Sequence, residues 1–188
     1  MTPVWRNRTI GLVFAAAIYA LDQWIKALAV GPWRLREVGV IDLLPFFDLR
    51  WTQNFGVSFG MFPANSPEMR WGLVAVTGLI ALVVFVWLLR ERKLWDIAGL
   101  ALILGGALGN IRDRYVYGYV IDYADFHIGS FRPFMIFNVA DAAITVGVLI
   151  ILARALFMRE KPPTPQGGKQ PAQDAQRPDQ TAENSTNA

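Results

Sequence analysis

The sequence predicts an all-α membrane protein, four transmembrane helices carrying a small β-sheet at one membrane surface. Three observations predict it. The chain is 54% apolar and only 18% charged, with 7 Trp and 12 Phe in 188 residues, where a soluble domain carries about 25% charge. Trp71 to Leu89 contains no charged residue, which is helix enough to cross a hydrocarbon core. Short Lys/Arg clusters recur beside the apolar segments in the way that sets membrane topology.

Four apolar segments emerge in order, at roughly 9–30, 71–89, 95–113 and 135–157. The first is clean from Thr9 to Leu21 and then meets Asp22, Gln23 and Lys26. Arg6 and Arg8 ahead of GLVFAAAIYA give it the look of a secretory signal, but the helical pattern continues, so a retained span is expected. The third is uncharged only from Ile97 to Ile111, and the fourth is broken by Asp141. Arg6 and Arg8, then Arg90, Arg92 and Lys93, then Arg154, Arg159 and Lys161 fall on one side of four spans. Both termini are therefore expected in the cytoplasm.

The opposite loops run from about 31 to 70 and from 114 to 134. In the first, Arg34, Arg36, Arg50 and Arg70 balance Glu37, Asp42, Asp48 and Glu68. Its aromatic-rich stretch VGVIDLLPFFDLRWTQNFGVSFGMF reads as short strands broken by Pro45, Gly56 and Gly60. Beyond residue 159 the composition turns to Pro, Gln, Gly, Asp and Asn. A tail at 160–188 of that kind cannot bury enough apolar surface to fold, and a disordered cytoplasmic tail is expected after a single domain at 1–159.

Depth follows from the helical rise of about 1.5 Å per residue. Counted from Thr9, Asp22 lies about 20 Å in and Lys26 about 25 Å. Counted from Asp96, Asn110 lies about 21 Å in and Arg114 about 27 Å. Asp141, in a span entering from the other side, lies about 6–9 Å below the outer rim. With Asn138 and the loop residue Asp122, seven polar residues therefore share one level near the outer interface. Asp22 and Lys26 are spaced i,i+4, as are Asn110 and Arg114, so each pair shares a helix face. Gly105 and Gly109 stand at GxxxG spacing, which lets another helix approach closely.

The catalytic inventory is narrow. With no Cys and His127 the one His, thiolate chemistry and a His-rich metal site are excluded. Ser58, Ser66 and Ser130 stand in no nucleophile-elbow pattern. What remains is a pair of carboxylates, Asp122 and Asp141, with amide and guanidinium neighbours. Two close carboxylates at low dielectric share a proton, so one can activate water while the other protonates a carbonyl oxygen. The alternative on spacing alone is structural ion pairing, Asp22 with Lys26 and Asp141 with Arg114.

Four blocks carry a resemblance: DQWIK (22–26), NFGVSFG (54–60), GGALGNIRDRYVYGYVIDY (105–123) and FNVADAAITVG (137–147). In this order they resemble the motifs of lipoprotein signal peptidase, the bacterial signal peptidase II, over roughly residues 9–157. The resemblance implies a membrane aspartic peptidase with four transmembrane helices, a small extracytoplasmic β-sheet and a surface helix. It implies that Asp122 and Asp141 form the catalytic dyad. It also implies that Asn54, Gly56, Gly106, Asn110, Arg114 and Asn138 line or support the substrate site. Asp22 and Lys26 would serve stability or assembly around it.

The implied substrate is a diacylglyceryl-modified prolipoprotein, cut before its lipidated cysteine in the inner membrane near the periplasmic face. Membrane lipid would be the other partner. A monomer is expected, with no cofactor, no metal and no nucleic acid. The sequence departs from the family pattern at Arg112, where an apolar residue is usual, and at Ala142, where Ser is frequent. One rival is a small proton-coupled transporter using Asp141 and Asp22, although the four unlike spans lack the repeated halves common in such folds. Another is an anchoring protein held by structural ion pairs.

Overall fold

The computed structural model describes residues 3–56 and 67–157, so Gly60 and the tail at 160–188 lie outside the described residues. Helix α1 spans Pro3–Val30. It stops where Gly31 and Pro32 follow, because proline cannot donate to the helical ladder. A single helical turn, α2 at Leu35–Val38, comes next and is closed by Gly39 at φ 82°, a left-handed conformation that favours glycine. Strands β1 (Val40–Leu44) and β2 (Phe47–Asn54) form a hairpin that turns at Pro45. Helix α3 covers Pro67–Arg90 and α4 covers Leu94–Val116. Strand β3 (Val120–Phe126) and helix α5 (Val139–Phe157) are the last elements among the described residues.

Among the described residues, four helices are long and apolar enough to cross a membrane: α1, α3, α4 and α5. Large apolar side chains of α3, among them Val76, Leu79, Ile80 and Val83, are exposed, as expected of a surface whose solvent is hydrocarbon. The bundle core gathers Ala15, Ala81, Val84, Leu88, Ile97, Leu100, Ala101 and Leu104. Helix α4 is its axis and touches each of the other three spans. Small residues make the close crossings possible. A Cβ at Gly105 would lie 2.5 Å from the Ala15 carbonyl oxygen of α1, and one at Gly106 would lie 2.5 Å from the Ala140 carbonyl oxygen of α5. The Gly105–Gly109 face thus meets α1, and its neighbour Gly106 meets α5.

One end of the bundle carries the basic clusters. Asn7 donates to the Arg92 carbonyl, Arg8 to the Glu91 carbonyl, and Arg154 pairs with Asp96. The start of α1, the α3–α4 turn and the end of α5 are therefore neighbours. At the other end lies the antiparallel sheet, in order β1-β2-β3. It has its own small core of Ala29, Leu35, Leu49, Ile121, Tyr123 and Ala124.

Two differences from the sequence reading shape the site. VIDYADF, within the stretch read as outer loop, is strand β3, pairing Thr52 with Asp122 and Asn54 with Val120. Helix α5 begins at Val139 rather than near 135, because Phe137 is bound to the sheet. Phe137 N donates to the Ala124 carbonyl, and Ala124 N to the Phe137 carbonyl. That bridge delivers Asn138 beside Asp122.

Candidate active site

Strand β3 and the first turn of α5 bring the two aspartates into one hydrogen-bonded network. Asp122 is buried on β3, with Oδ1 accepting from Asn138 Nδ2 at 2.7 Å and Oδ2 from Asn54 Nδ2 at 3.0 Å. Asp141 is half-buried in α5, with Oδ1 accepting from Asn110 Nδ2 at 2.8 Å and Oδ2 from Asn138 N at 3.2 Å. Asn138 thus bonds both carboxylates, one through its side chain and one through its backbone.

The start of α5 is unusually well satisfied. The first backbone N–H groups of a helix have no partner within it. Here Val139 N donates to the Tyr123 hydroxyl at 3.3 Å, Ala140 N to Asp22 Oδ1 at 3.0 Å, and Asp141 N to Asn138 Oδ1 at 2.9 Å. Since Asp141 Oδ2 also accepts from Asn138 N, the pair forms a reciprocal cap of the capping-box kind with an aspartate in the acidic place. The i,i+3 spacing of Asn138 and Asp141 is the mark of that cap, and the cap fixes the rotamer of Asp141.

Beneath these two aspartates lies a buried charge cluster. Lys26 Nζ is 2.9 Å from Asp22 Oδ2 and 2.8 Å from Asp113 Oδ2, and it donates to Asn110 Oδ1 at 3.2 Å. Asn110 Oδ1 also accepts from Asn138 Nδ2 at 3.2 Å. With two donors on its oxygen, the Asn110 amide can only present its NH₂ to Asp141.

On the other flank, Asn54 Oδ1 accepts from Gly56 N at 3.1 Å, and the Gly56 carbonyl accepts from Arg114 Nη2 at 2.9 Å. Arg70 in turn closes the end of α4 by donating to the Arg114 carbonyl at 2.7 Å and to the Tyr115 carbonyl, which suits a cation at a helix C-terminus.

Burial pushes the Asp122 carboxyl up to about 7, and the nearby charge of Asp141 adds to the rise. The hydrogen bonds from Asn54 and Asn138 and the charge of Lys26 oppose it only in part. A carboxyl of this kind holds a proton near neutrality, a property found where carboxylates share a site.

Of the residues singled out in the sequence, Asp122, Asp141, Asn54, Asn110 and Asn138 meet directly. Gly56 and Arg114 join through the Gly56 backbone. Asp22 and Lys26 stand one layer below, and Gly106 packs against Ala140 of α5 rather than touching a carboxylate. His127 pairs with Asp48 on the sheet. Arg112 faces α1, where its Nη1 donates to Gln23 Oε1.

Sequence reasoning missed Asp113, Tyr123 and Gln23. Asp113, fully buried, accepts from Gln23 Nε2 at 3.1 Å and from Ile121 N at 3.2 Å in addition to its ion pair with Lys26. Its available signal was the i,i+3 spacing from Asn110, which puts both on one helix face.

The chain matches the family model for signal peptidase (SPase) II over residues 14–157. A lipoprotein signal peptidase of Sphingopyxis alaskensis is 55% identical, covering 80% of this chain and 87% of its own. One of Rhizorhabdus wittichii is 52% identical, covering 82% and 90%. A solved bacterial membrane enzyme, 24% identical, shares the fold with a TM-score of 0.68 over 82% of this chain and 94% of that one. The family match runs from within α1 to the end of α5 and takes in the sheet and both aspartates, and on that footing the chain belongs to the signal peptidase II family of membrane peptidases.

Proposed function

We propose that this chain is an aspartic endopeptidase that removes the signal peptide from diacylglyceryl-modified prolipoproteins, cutting before the lipidated cysteine with water activated by Asp122 and Asp141. Family membership carries the coarser part, signal peptide removal from prolipoproteins. The single observation that supports the finer part is the Asn138 bridge, which bonds Asp122 and Asp141 at once.

Asp122, the more deeply buried, holds the shared proton and donates it to the scissile carbonyl oxygen. Asp141, half-exposed, accepts a proton from the attacking water. The tetrahedral intermediate then collapses: the C–N bond breaks as Asp141 passes its proton to the leaving amine, and Asp122 takes back a proton from the hydroxyl that becomes the product carbonyl. This is general acid–base catalysis without a covalent intermediate. Asn54, Asn110 and Asn138 hold the carboxylate oxygens in place, Arg114 secures the Gly56 segment, and Asp22 and Lys26 fix the start of α5 and the Asn110 amide.

The basic clusters at the far end of the bundle support cytoplasmic termini and an active site at the periplasmic rim. A diacylglyceryl group remains in the outer leaflet, so a dyad at that rim reaches the scissile bond without withdrawing the lipid. One chain carries every group named, which suits a monomer. The transporter reading needs Asp22 to carry protons, but Asp22 is engaged by Lys26 and the Ala140 N–H.

The test offers purified protein a prolipoprotein with and without the diacylglyceryl group and identifies the products by mass spectrometry. The expected result is cleavage of the lipidated form alone, with the lipidated cysteine as the new N-terminus. Equal cleavage of the unlipidated form contradicts the substrate assignment.

A further inference from the structure

Asp113 has no part in the chemistry above, yet it is fully buried and makes polar contacts to three residues on two other elements, Gln23 and Lys26 on α1 and Ile121 on β3. Its Oδ2 accepts from Ile121 N, the backbone position just before Asp122, at 3.2 Å. The same oxygen lies 2.8 Å from Lys26 Nζ. Lys26 donates to Asn110 Oδ1, and Asn110 Nδ2 donates to Asp141 Oδ1. One carboxylate therefore stands at the head of two short chains, one ending at the backbone that carries Asp122 and the other at the side chain of Asp141. Its second oxygen accepts from Gln23 Nε2, which in turn donates to Asp22 Oδ2.

We propose that Asp113 is a positioning residue that sets the separation of the two dyad carboxylates by anchoring β3 and the Lys26–Asn110 arm to the same point on α4. The inference rests on the dyad reading. The anchor needs a carboxylate, because Ile121 N, Lys26 and Gln23 all present N–H groups and a carboxylate accepts on both oxygens. An amide offers one oxygen, so Asn at this position keeps some of these contacts and opposes an NH₂ to another. Removing the Asp113 charge still leaves Lys26 paired with Asp22 at 2.9 Å. The substitution thus strands no lone buried cation, the circumstance that makes broken buried pairs so destabilising.

The experiment compares Asp113→Asn, Asp113→Ala and Asp122→Asn with wild type in detergent. Folded protein is measured by size exclusion and thermal melting, and kcat and KM are measured separately on a diacylglyceryl-modified prolipoprotein. A misplacement of about 1 Å can lower the rate about 10²-fold, so kcat per folded molecule is expected to fall about 10-fold in Asp113→Asn and about 10²-fold in Asp113→Ala. KM is expected to stay within about twofold, because a fully buried Asp113 contributes no substrate binding. A merely structural role would lower the folded fraction or the melting temperature and leave kcat per folded molecule unchanged.

If Asp113→Ala does not fold, Asp113→Asn decides alone. Wild-type kcat in the folded variants, or a loss confined to KM, overturns the positioning role. Asp122→Asn separates the two readings. If it is inactive while the Asp113 variants cleave normally, only the positioning role fails. If Asp122→Asn itself cleaves normally, the dyad reading fails.

Discussion

Gly106→Ala tests how the helix crossing governs the site. A Cβ at Gly106 would sit 2.5 Å from the Ala140 carbonyl oxygen and 2.9 Å from Ile144 Cγ1. Ordinary contact begins near 3.4 Å, so α4 and α5 must separate by about 0.9 Å at this level. Ala140 precedes Asp141, and the same displacement stretches the 2.8 Å bond from Asn110 to Asp141 to about 3.7 Å, beyond hydrogen-bonding range. Losing a hydrogen bond to a charged group costs about 1.5–3 kcal/mol. If that cost falls on the transition state, kcat drops about 10- to 100-fold at about 1.36 kcal/mol per decade. Overpacking itself costs about 1–3 kcal/mol of stability. Gly78→Ala, whose Cβ meets nothing within 4 Å, is the control and is expected to retain wild-type kcat. Initial rates on lipidated prolipoprotein and melting temperatures in detergent measure both effects. Wild-type kcat in folded Gly106→Ala would show that the α4–α5 crossing does not govern the site.

Other substitutions probe the network piece by piece. Asn138→Ala removes the cap of α5 and the donor to Asp122. A lost cap costs about 0.5–2 kcal/mol, so a lower melting temperature together with a fall in kcat of at least about 10-fold is expected, and an intact kcat would count against the bridge. Asp22→Ala strips one partner from Lys26 and the acceptor from Ala140 N. Melting should show a loss below the about 3–5 kcal/mol of a fully broken buried pair, because Asp113 remains. For pH, Asp122 is raised from 3.8 to about 7 in the fold. Between those values the unfolded chain has released a proton that the fold retains, so stability declines as pH rises from about 4 to about 7 and then levels. Melting temperature against pH should follow that course in wild type and flatten in Asp122→Asn. Cleavage should likewise decline above about pH 7, where Asp122 loses the proton it is proposed to donate.

The four spans are legible in the sequence because hydrocarbon permits few alternatives to apolar helices. The common depth of Asp22, Asn110 and Asp141 is legible because helical rise converts residue number into distance. Strand β3 is not, since VIDYADF buries nearly every side chain, two aspartates included, and lacks the alternation of a half-buried strand. The start of α5 is obscured for a related reason. Met135 to Phe137 continue the apolar run, and only pairing with β3 shows that Phe137 belongs to the sheet. Asp113 is hidden in the charge-dense IRDR. Its role depends on Lys26, distant in the sequence, reaching across from α1. The i,i+3 spacing of Asn138 and Asp141 is visible in the sequence, whereas the reciprocal cap becomes evident only once the helix start is fixed.

Joint activation of water by Asp122 and Asp141 is read from kcat of purified, folded Asp122→Asn and Asp141→Asn on a diacylglyceryl-modified prolipoprotein. General acid–base groups contribute about 10²–10⁴-fold, so each variant is expected to fold and to cleave at no more than about one hundredth of the wild-type rate. Cleavage by either folded variant at the wild-type rate would contradict the dyad.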